Sequence, residues 1–391
     1  MKILYLSLDP RTPMNIPSGG SMHVKSIVNA FRSIGHEVRL YAPGVGVPES
    51  MVGKISGGAF SIKSMVPKPL WIAARDIYDV YRDRRNLPDI MRVIDKFKPD
   101  AIYERNAYLN HSGVLAASKN KVPYFMEINA PTSEERSKLF GAPLGRYNDK
   151  KELERTKIAN GVIVVTGVLK KLLVDRGVPA EKIAVFQNGF DPARFEGARE
   201  RGAELRESLG IKGPVVGFVG SIAAYHGVER LFNAAKSLKN KYPDILFWIV
   251  GGGESLAELK NAAASQNVSE NVRFEGAVPA EDVSAYMGAF DVAVLPDTAY
   301  YCSPIKLFEY GAAGAPVIAP ETDAVKEIFG DSELALLTDG KDNLEKIVES
   351  LLIDPEKSSK MSKTLKNKVF NEHTWIKTAE GISAFMEKKI K

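Results

Sequence analysis

Short apolar runs alternate with longer mixed segments along the whole chain. In the first half the apolar runs at 2–8, 37–42, 101–104, 122–128, 162–166 and 183–186 read as strands. A helix spans 21–34 between the first two, and Gly35 ends it. The alternation restarts at 215–219 and continues through 246–250, 272–274, 292–295, 317–319 and 334–337. Strand and helix in strict turn predict parallel sheets covered by helices on both faces, an α/β fold. Between the two series lies the turn cluster Asn188-Gly189-Phe190-Asp191-Pro192, followed by a charged, weakly patterned stretch at 194–212. The expected domains are therefore 1–190 and 191–374. At 391 residues the chain exceeds a comfortable single core, which agrees with two.

The richest stretch follows the apolar run at 292–295. It reads Ser303-Pro304-Ile305-Lys306-Leu307-Phe308-Glu309-Tyr310-Gly311, then Ala312-Ala313-Gly314-Ala315-Pro316-Val317-Ile318-Ala319. Ser303 is expected to cap a helix whose first position is Pro304. The free amides of that first turn, Ile305 and Lys306, point out of the strand end toward an anion. Lys306 opposes the helix dipole by about 0.3–1 kcal/mol unless an anion offsets it. Glu309 lies four residues after Ile305, on the same face, and can accept hydrogen bonds from a vicinal diol such as ribose. Anion site, cation and diol acceptor together describe a nucleoside diphosphate pocket. The plain alternative is a buried strand–helix–strand unit of any α/β protein.

The run Ser-Pro-x-Lys-x-x-Glu-Tyr-x-Ala-x-Gly-x-Pro-Val-x-Ala resembles the donor-site motif of retaining GT-B glycosyltransferases, in particular family four of group 1 type. The resemblance covers nearly the whole chain. Gly19-Gly20 with His23, and Gly35-His36-Glu37-Val38, resemble the family's N-terminal signature. Asn188-Gly189-Phe190-Asp191 with Phe195 resembles the element before the interdomain linker. Gly217 to Ser221, His226-Gly227-Val228-Glu229, Val250 to Glu254, and Phe274-Glu275-Gly276 resemble the strand ends of the second domain. The resemblance implies two Rossmann-like domains whose parallel sheets face across a cleft, with a last helix at 375–391 packing back on the first domain. Trp375, Ile376, Ala379, Ile382, Phe385 and Met386 fall roughly on one face of that helix.

By the same resemblance, the second domain binds a nucleoside diphosphate sugar, a UDP- or GDP-hexose. The hexose passes to a hydroxyl of a glycan or lipid-linked acceptor, as in polysaccharide biosynthesis, with retention and without a metal. The donor set is Gly20, Ser221, Gly251, Val278, Tyr301, Ser303, Ile305, Lys306 and Glu309. The chain departs from the family pattern at three places. Ser221 stands near the usual Arg position, His226 near the usual Lys, and Tyr301 where the first of two glutamates is usual. Positive charge must then come from a protonated His226, from Lys306 and from the helix amides. The sugar hydroxyls fall to Tyr301, Ser303 or Asp297.

In the first domain, Glu127 and Asn129 end a strand at the expected cleft. Asn129 stands where relatives often have a sugar-contacting His, and Glu127 is costly to bury unless paired. With His226 and Lys306 these form the expected catalytic set. Glu104, Arg105 and Glu127 are the expected acceptor contacts; Glu104–Arg105 as a structural ion pair is the alternative. An epimerase or phosphorylase on the same fold, and a binding-only homologue, remain alternatives.

Charge adds one further expectation. Residues 1–200 carry 31 Lys and Arg against 21 Asp and Glu, while the remainder carries 22 against 27. A basic, aromatic-bearing segment at 61–98 includes Lys63, Lys68, Trp71, Arg75, Tyr78, Tyr81, Arg82, Arg84 and Arg85. Such a helix suits peripheral contact with an anionic membrane surface; packing on the first sheet is the alternative. No nucleic-acid module is visible. One cysteine, Cys302, and five scattered histidines predict no disulfide and no metal site, and a cytoplasmic location, peripheral on the inner face of the membrane. No resident cofactor is expected, since Gly19-Gly20 lacks a dinucleotide fingerprint.

Overall fold

The computed structural model describes residues 1–16, 18–42, 68–330, 332–338 and 343–390, without the side chains of 68, 69 and 224. The part of the basic segment before residue 68 lies outside the described residues. The chain divides into two compact units, Met1–Phe186 with Thr378–Lys391, and Gln187–Lys377. The first therefore closes at 186 rather than the expected 190. The reason is a parallel bridge between Phe190 and Thr374: the Phe190 amide donates to His373 (3.0 Å) and its carbonyl accepts from Trp375 (3.1 Å). A side chain at Gly189 would strike the Trp375 nitrogen at 2.6 Å, so only glycine lets the two segments meet.

The first unit holds a six-stranded parallel sheet: β1 (Lys2–Ser7), β2 (Glu37–Tyr41), β3 (Ala101–Arg105), β4 (Tyr124–Ile128), β5 (Gly161–Val164) and β6 (Ile183–Val185), in the order β2-β1-β3-β4-β5-β6. Ile3, Leu4, Tyr5 and Leu6 are wholly buried, as a strand covered on both faces requires. Helix Gly19–Ser33 starts with a capping box in which Ser18 and Ser21 each bond the other's main chain. The last helix, Trp375–Ile390, buries Ala379, Ile382 and Met386, while Ile376 is 40% exposed and leaves the expected face.

The second unit repeats the plan with β7 (Val215–Val219), β8 (Leu246–Val250), β9 (Val272–Gly276), β10 (Val292–Val294), β11 (Val317–Pro320) and β12 (Ala335–Leu337). Their order is β12-β11-β10-β7-β8-β9. The stretch expected as a linker is instead largely the helix Ala198–Ser208. It packs on helix Val283–Gly288 through small residues: a Cβ at Gly202 would lie 2.2 Å from the Gly288 carbonyl carbon. A contact made by backbone leaves no apolar stripe, which is why the pattern there looks blank.

Among the described residues no helix is long and apolar enough to cross a membrane. Helix Lys68–Phe97 leaves Leu70, Ile77, Tyr78 and Tyr81 exposed beside Arg84 and Arg85.

Candidate active site

In an open parallel sheet, ligands bind beyond the strand ends where neighbouring strands send the chain to opposite sides. In the second unit those neighbours are β7 and β10. Helix Ile305–Ala313 begins there. Pro304 occupies its N-cap without a side-chain bond, and the Ile305 and Lys306 amides have no acceptor among the described residues. Ser303 therefore does not cap the helix. Its hydroxyl accepts from the Asn188 amide (3.2 Å) and its carbonyl from Asn188 Nδ2 (2.7 Å), which anchors the loop instead.

Lys306 lies directly beneath Gly220. A Cβ on Gly220 would stand 2.1 Å from Lys306 Cε, and the residue has φ +152°, so the bare backbone is what admits the lysine stem. Gly251 serves the same edge: its Cβ would fall 1.9 Å from the Gly220 carbonyl oxygen. Lys306 Nζ sits 3.3 Å from His226 Nε2 and 5.8 Å from the Phe218 ring centre. Burial lowers the ammonium below its usual 10.5, while Glu309 and Cys302 pull the other way.

His226 is not the expected cation. Burial, then the adjacent Lys306 charge, drive its imidazole down to about 3, so it is neutral at physiological pH. Neutral Nε2 then accepts from the ammonium, which leaves the proton on Nδ1. Positive charge at the site comes from Lys306 and the helix amides. Glu309, one turn deeper, is held 3.5 Å from Arg194 Nη1. Burial raises its carboxyl, opposed by Arg194 and Lys306. Tyr310 ties helix to strand, its hydroxyl accepting from the Val219 amide at 2.8 Å. Ser221 is exposed, Val278 and Gly251 are half-buried, and Tyr301 is buried with its ring on Tyr300, centroids 5.1 Å apart.

In the first unit the corresponding neighbours are β1 and β3. Register places Ser7, Arg105 and Glu127 in a row on one face. Glu127 is buried and occupied within the protein: His23 Nε2 lies 2.6 Å away, Asn129 Nδ2 donates at 2.5 Å and Tyr5 at 3.3 Å. Burial alone would raise its carboxyl, but the His23 contact, Arg105 and Asn129 outweigh it and hold the group at about 2. Glu127 thus positions Asn129 and His23. His23 was missed as its partner; the signal was a buried acid in need of a polar partner.

Glu104, expected as an acceptor contact, is buried and faces away from the row of Ser7, Arg105 and Glu127. Adjacent strand residues face opposite ways, so Glu104 and Arg105 do not pair. Glu104 is wholly buried, accepts from Tyr124 at 2.8 Å, lies 3.9 Å from Arg155, and packs against the bare Gly113. Burial pushes it up to about 7, partly offset by Arg155 and Tyr124.

Two family models match the chain. "Glycosyltransferase Family 4" covers residues 17–194 and "Glycosyl transferases group 1" covers 203–368, so each unit carries one. The chain belongs to the group 1 glycosyltransferases. A GDP-mannose-dependent α-(1-6)-phosphatidylinositol monomannoside mannosyltransferase of Mycolicibacterium smegmatis is 29% identical over 192 residues, 47% of this chain and 50% of that one. A D-inositol 3-phosphate glycosyltransferase of Corynebacterium urealyticum is 32% identical over 193 residues, 46% and 45% of the two chains. The chain spans about half the length of the curated relatives it matches. The crystal structure of Anabaena HepE with UDP superposes with a TM-score of 0.74 at 17% identity, covering 99% of this chain and 100% of that one. That likeness shows the fold: two Rossmann-like units of the GT-B type.

Proposed function

We propose that this group 1 glycosyltransferase transfers a hexose from a UDP- or GDP-sugar to a hydroxyl of a glycan or lipid-linked acceptor, with retention and without a metal ion. The observation that carries the reading is the Lys306 ammonium at the unbonded first turn of helix Ile305–Ala313, beneath Gly220. A helix N-terminus and a cation set against each other need an anion between them. A diphosphate supplies it, and Glu309 lies one turn deeper where the ribose diol would sit. The bond from the anomeric carbon to the β-phosphate oxygen breaks, and the acceptor oxygen forms the new one. The proton of the acceptor hydroxyl passes to the departing phosphate. Lys306 and the amides of Ile305 and Lys306 hold the negative charge that develops there. We assign Asn129, which Glu127 holds, to the sugar, and Ser221 and Tyr301 to the donor.

Relatives support the donor class, one being GDP-mannose-dependent and one solved structure holding UDP. The acceptor is assigned to the first unit, whose exposed stripe on helix Lys68–Phe97, flanked by Arg84 and Arg85, suits an anionic lipid surface. Thermal stabilisation by UDP, GDP, ADP, dTDP and CMP, with and without Mg²⁺, tests the reading. A ligand at about 100 times its Kd adds about 2.7 kcal/mol. A shift with one diphosphate, equal with and without Mg²⁺, supports the donor site. No shift with any nucleotide refutes it.

A further inference from the structure

The strand end of the first unit holds a second cation, Arg105, that makes no hydrogen bond or ion pair among the described residues. Glu127 is occupied by His23, Asn129 and Tyr5, and Asp9 by Arg11, whose Nε and Nη2 each donate at 2.9 Å. Arg105 stands beside both acids, yet it makes no hydrogen bond or ion pair among the described residues, and its Nε is buried without a partner. Ser7 Oγ, in register beside Arg105, is likewise unpartnered on a residue only 2% exposed.

Helix Gly19–Ser33 brings its first turn to the same place. A Cβ on Gly20 would stand 3.4 Å from Arg105 Nη1. Ser18 takes the Ser21 amide, while the amides of Gly19 and Gly20 find no acceptor among the described residues. A guanidinium set against a helix N-terminus is repulsive until an anion lies between them. Its planar fork and the converging amides match a phosphate.

We propose that Arg105, Ser7 Oγ and the amides of Gly19 and Gly20 bind a phosphate group carried by the acceptor. The proposal rests on the reading of the first unit as the acceptor side. It reassigns Gly20 from the donor to the acceptor and makes the enzyme selective for phosphorylated acceptors.

The test is calorimetric titration of inorganic phosphate into the full chain. The chain is first saturated with the nucleoside diphosphate that stabilises it, so that the Lys306 site is filled. Phosphate is expected to bind, about tenfold or more weaker in Arg105→Gln, the loss of a charge-assisted hydrogen-bond pair. Arg105→Lys, which keeps the charge, should recover most of it, and Ser7→Ala should weaken it less. Unchanged nucleotide affinity in each variant verifies folding.

Equal phosphate affinity in Arg105→Gln, or no phosphate binding to the nucleotide-loaded chain, overturns the proposal and leaves the donor reading standing. If Arg105→Gln instead weakens the nucleotide, the anion held is the donor's own and the proposal is likewise overturned. Phosphate bound through Arg105 in a chain that takes no nucleotide keeps this site and removes the donor reading.

Discussion

Lys306→Met separates a functional lysine from a structural one, because stability and nucleotide binding should respond to very different extents. In the free chain the ammonium is half-buried at a helix N-terminus, which costs about 0.3–1 kcal/mol. Its contacts are His226 at 3.3 Å and the Phe218 face at 5.8 Å. A cation over an aromatic face is worth about 0.5–1 kcal/mol. Burial outweighs the pull of Glu309, since the ammonium sits below its usual 10.5. A methionine of similar length keeps the packing beneath Gly220 and removes the charge. Unfolding free energy should therefore change by less than about 1 kcal/mol, in either direction.

Binding should suffer far more. A charge-assisted hydrogen bond is worth about 1.5–3 kcal/mol, so nucleoside diphosphate affinity should fall by about tenfold to a hundredfold. Denaturant unfolding and calorimetric titration on the same preparation measure the two. A variant that loses several kcal/mol of stability but binds nucleotide as tightly as the parent would refute the assignment of Lys306 to an anion.

Four further outcomes are expected. Glu309→Ala should weaken nucleoside diphosphate binding by about tenfold or more in titration, with little effect on inorganic phosphate, because it removes the diol acceptor and not the anion site. Nucleotide affinity should fall as pH rises through the lowered ionisation of Lys306, and the Lys306→Met variant should show no such fall. Glu127 is held at about 2 against the usual 4.5, so it contributes stability present above pH 4.5 and lost as pH falls toward 2; acid unfolding of Glu127→Gln should lack that component, on the order of 3 kcal/mol. Gly202→Ala, whose Cβ would meet the Gly288 backbone at 2.2 Å, should lower the melting temperature strongly, and unchanged melting would contradict the close packing of those helices.

The strands were legible because residues buried on both faces form unbroken apolar runs, as at Val215–Val219 and Leu246–Val250. Helix Ala198–Ser208 was not, since its contact runs through Ala198 and Gly202. At the site, Lys306 and Glu309 follow from spacing within one helix. The role of Gly220 does not, because the close approach that sets it over Lys306 is a tertiary contact across 86 positions of chain. Ser303 looked like a cap by local rules, and Asn188, far upstream, takes its hydroxyl instead. His226 looked like a cation by position, and burial beside Lys306 keeps it neutral. Glu104 and Arg105 were within reach of the sequence: strand alternation alone sets them on opposite faces.

Hydrogen–deuterium exchange of the full chain, with and without the stabilising nucleoside diphosphate, tests most directly where the donor sits. The expected result is protection of the Ile305 and Lys306 amides, which are unbonded in the free chain, and of the strand end at Val219–Ser221. Nucleotide binding that leaves those amides exchanging as before would contradict the placement of the diphosphate at this helix.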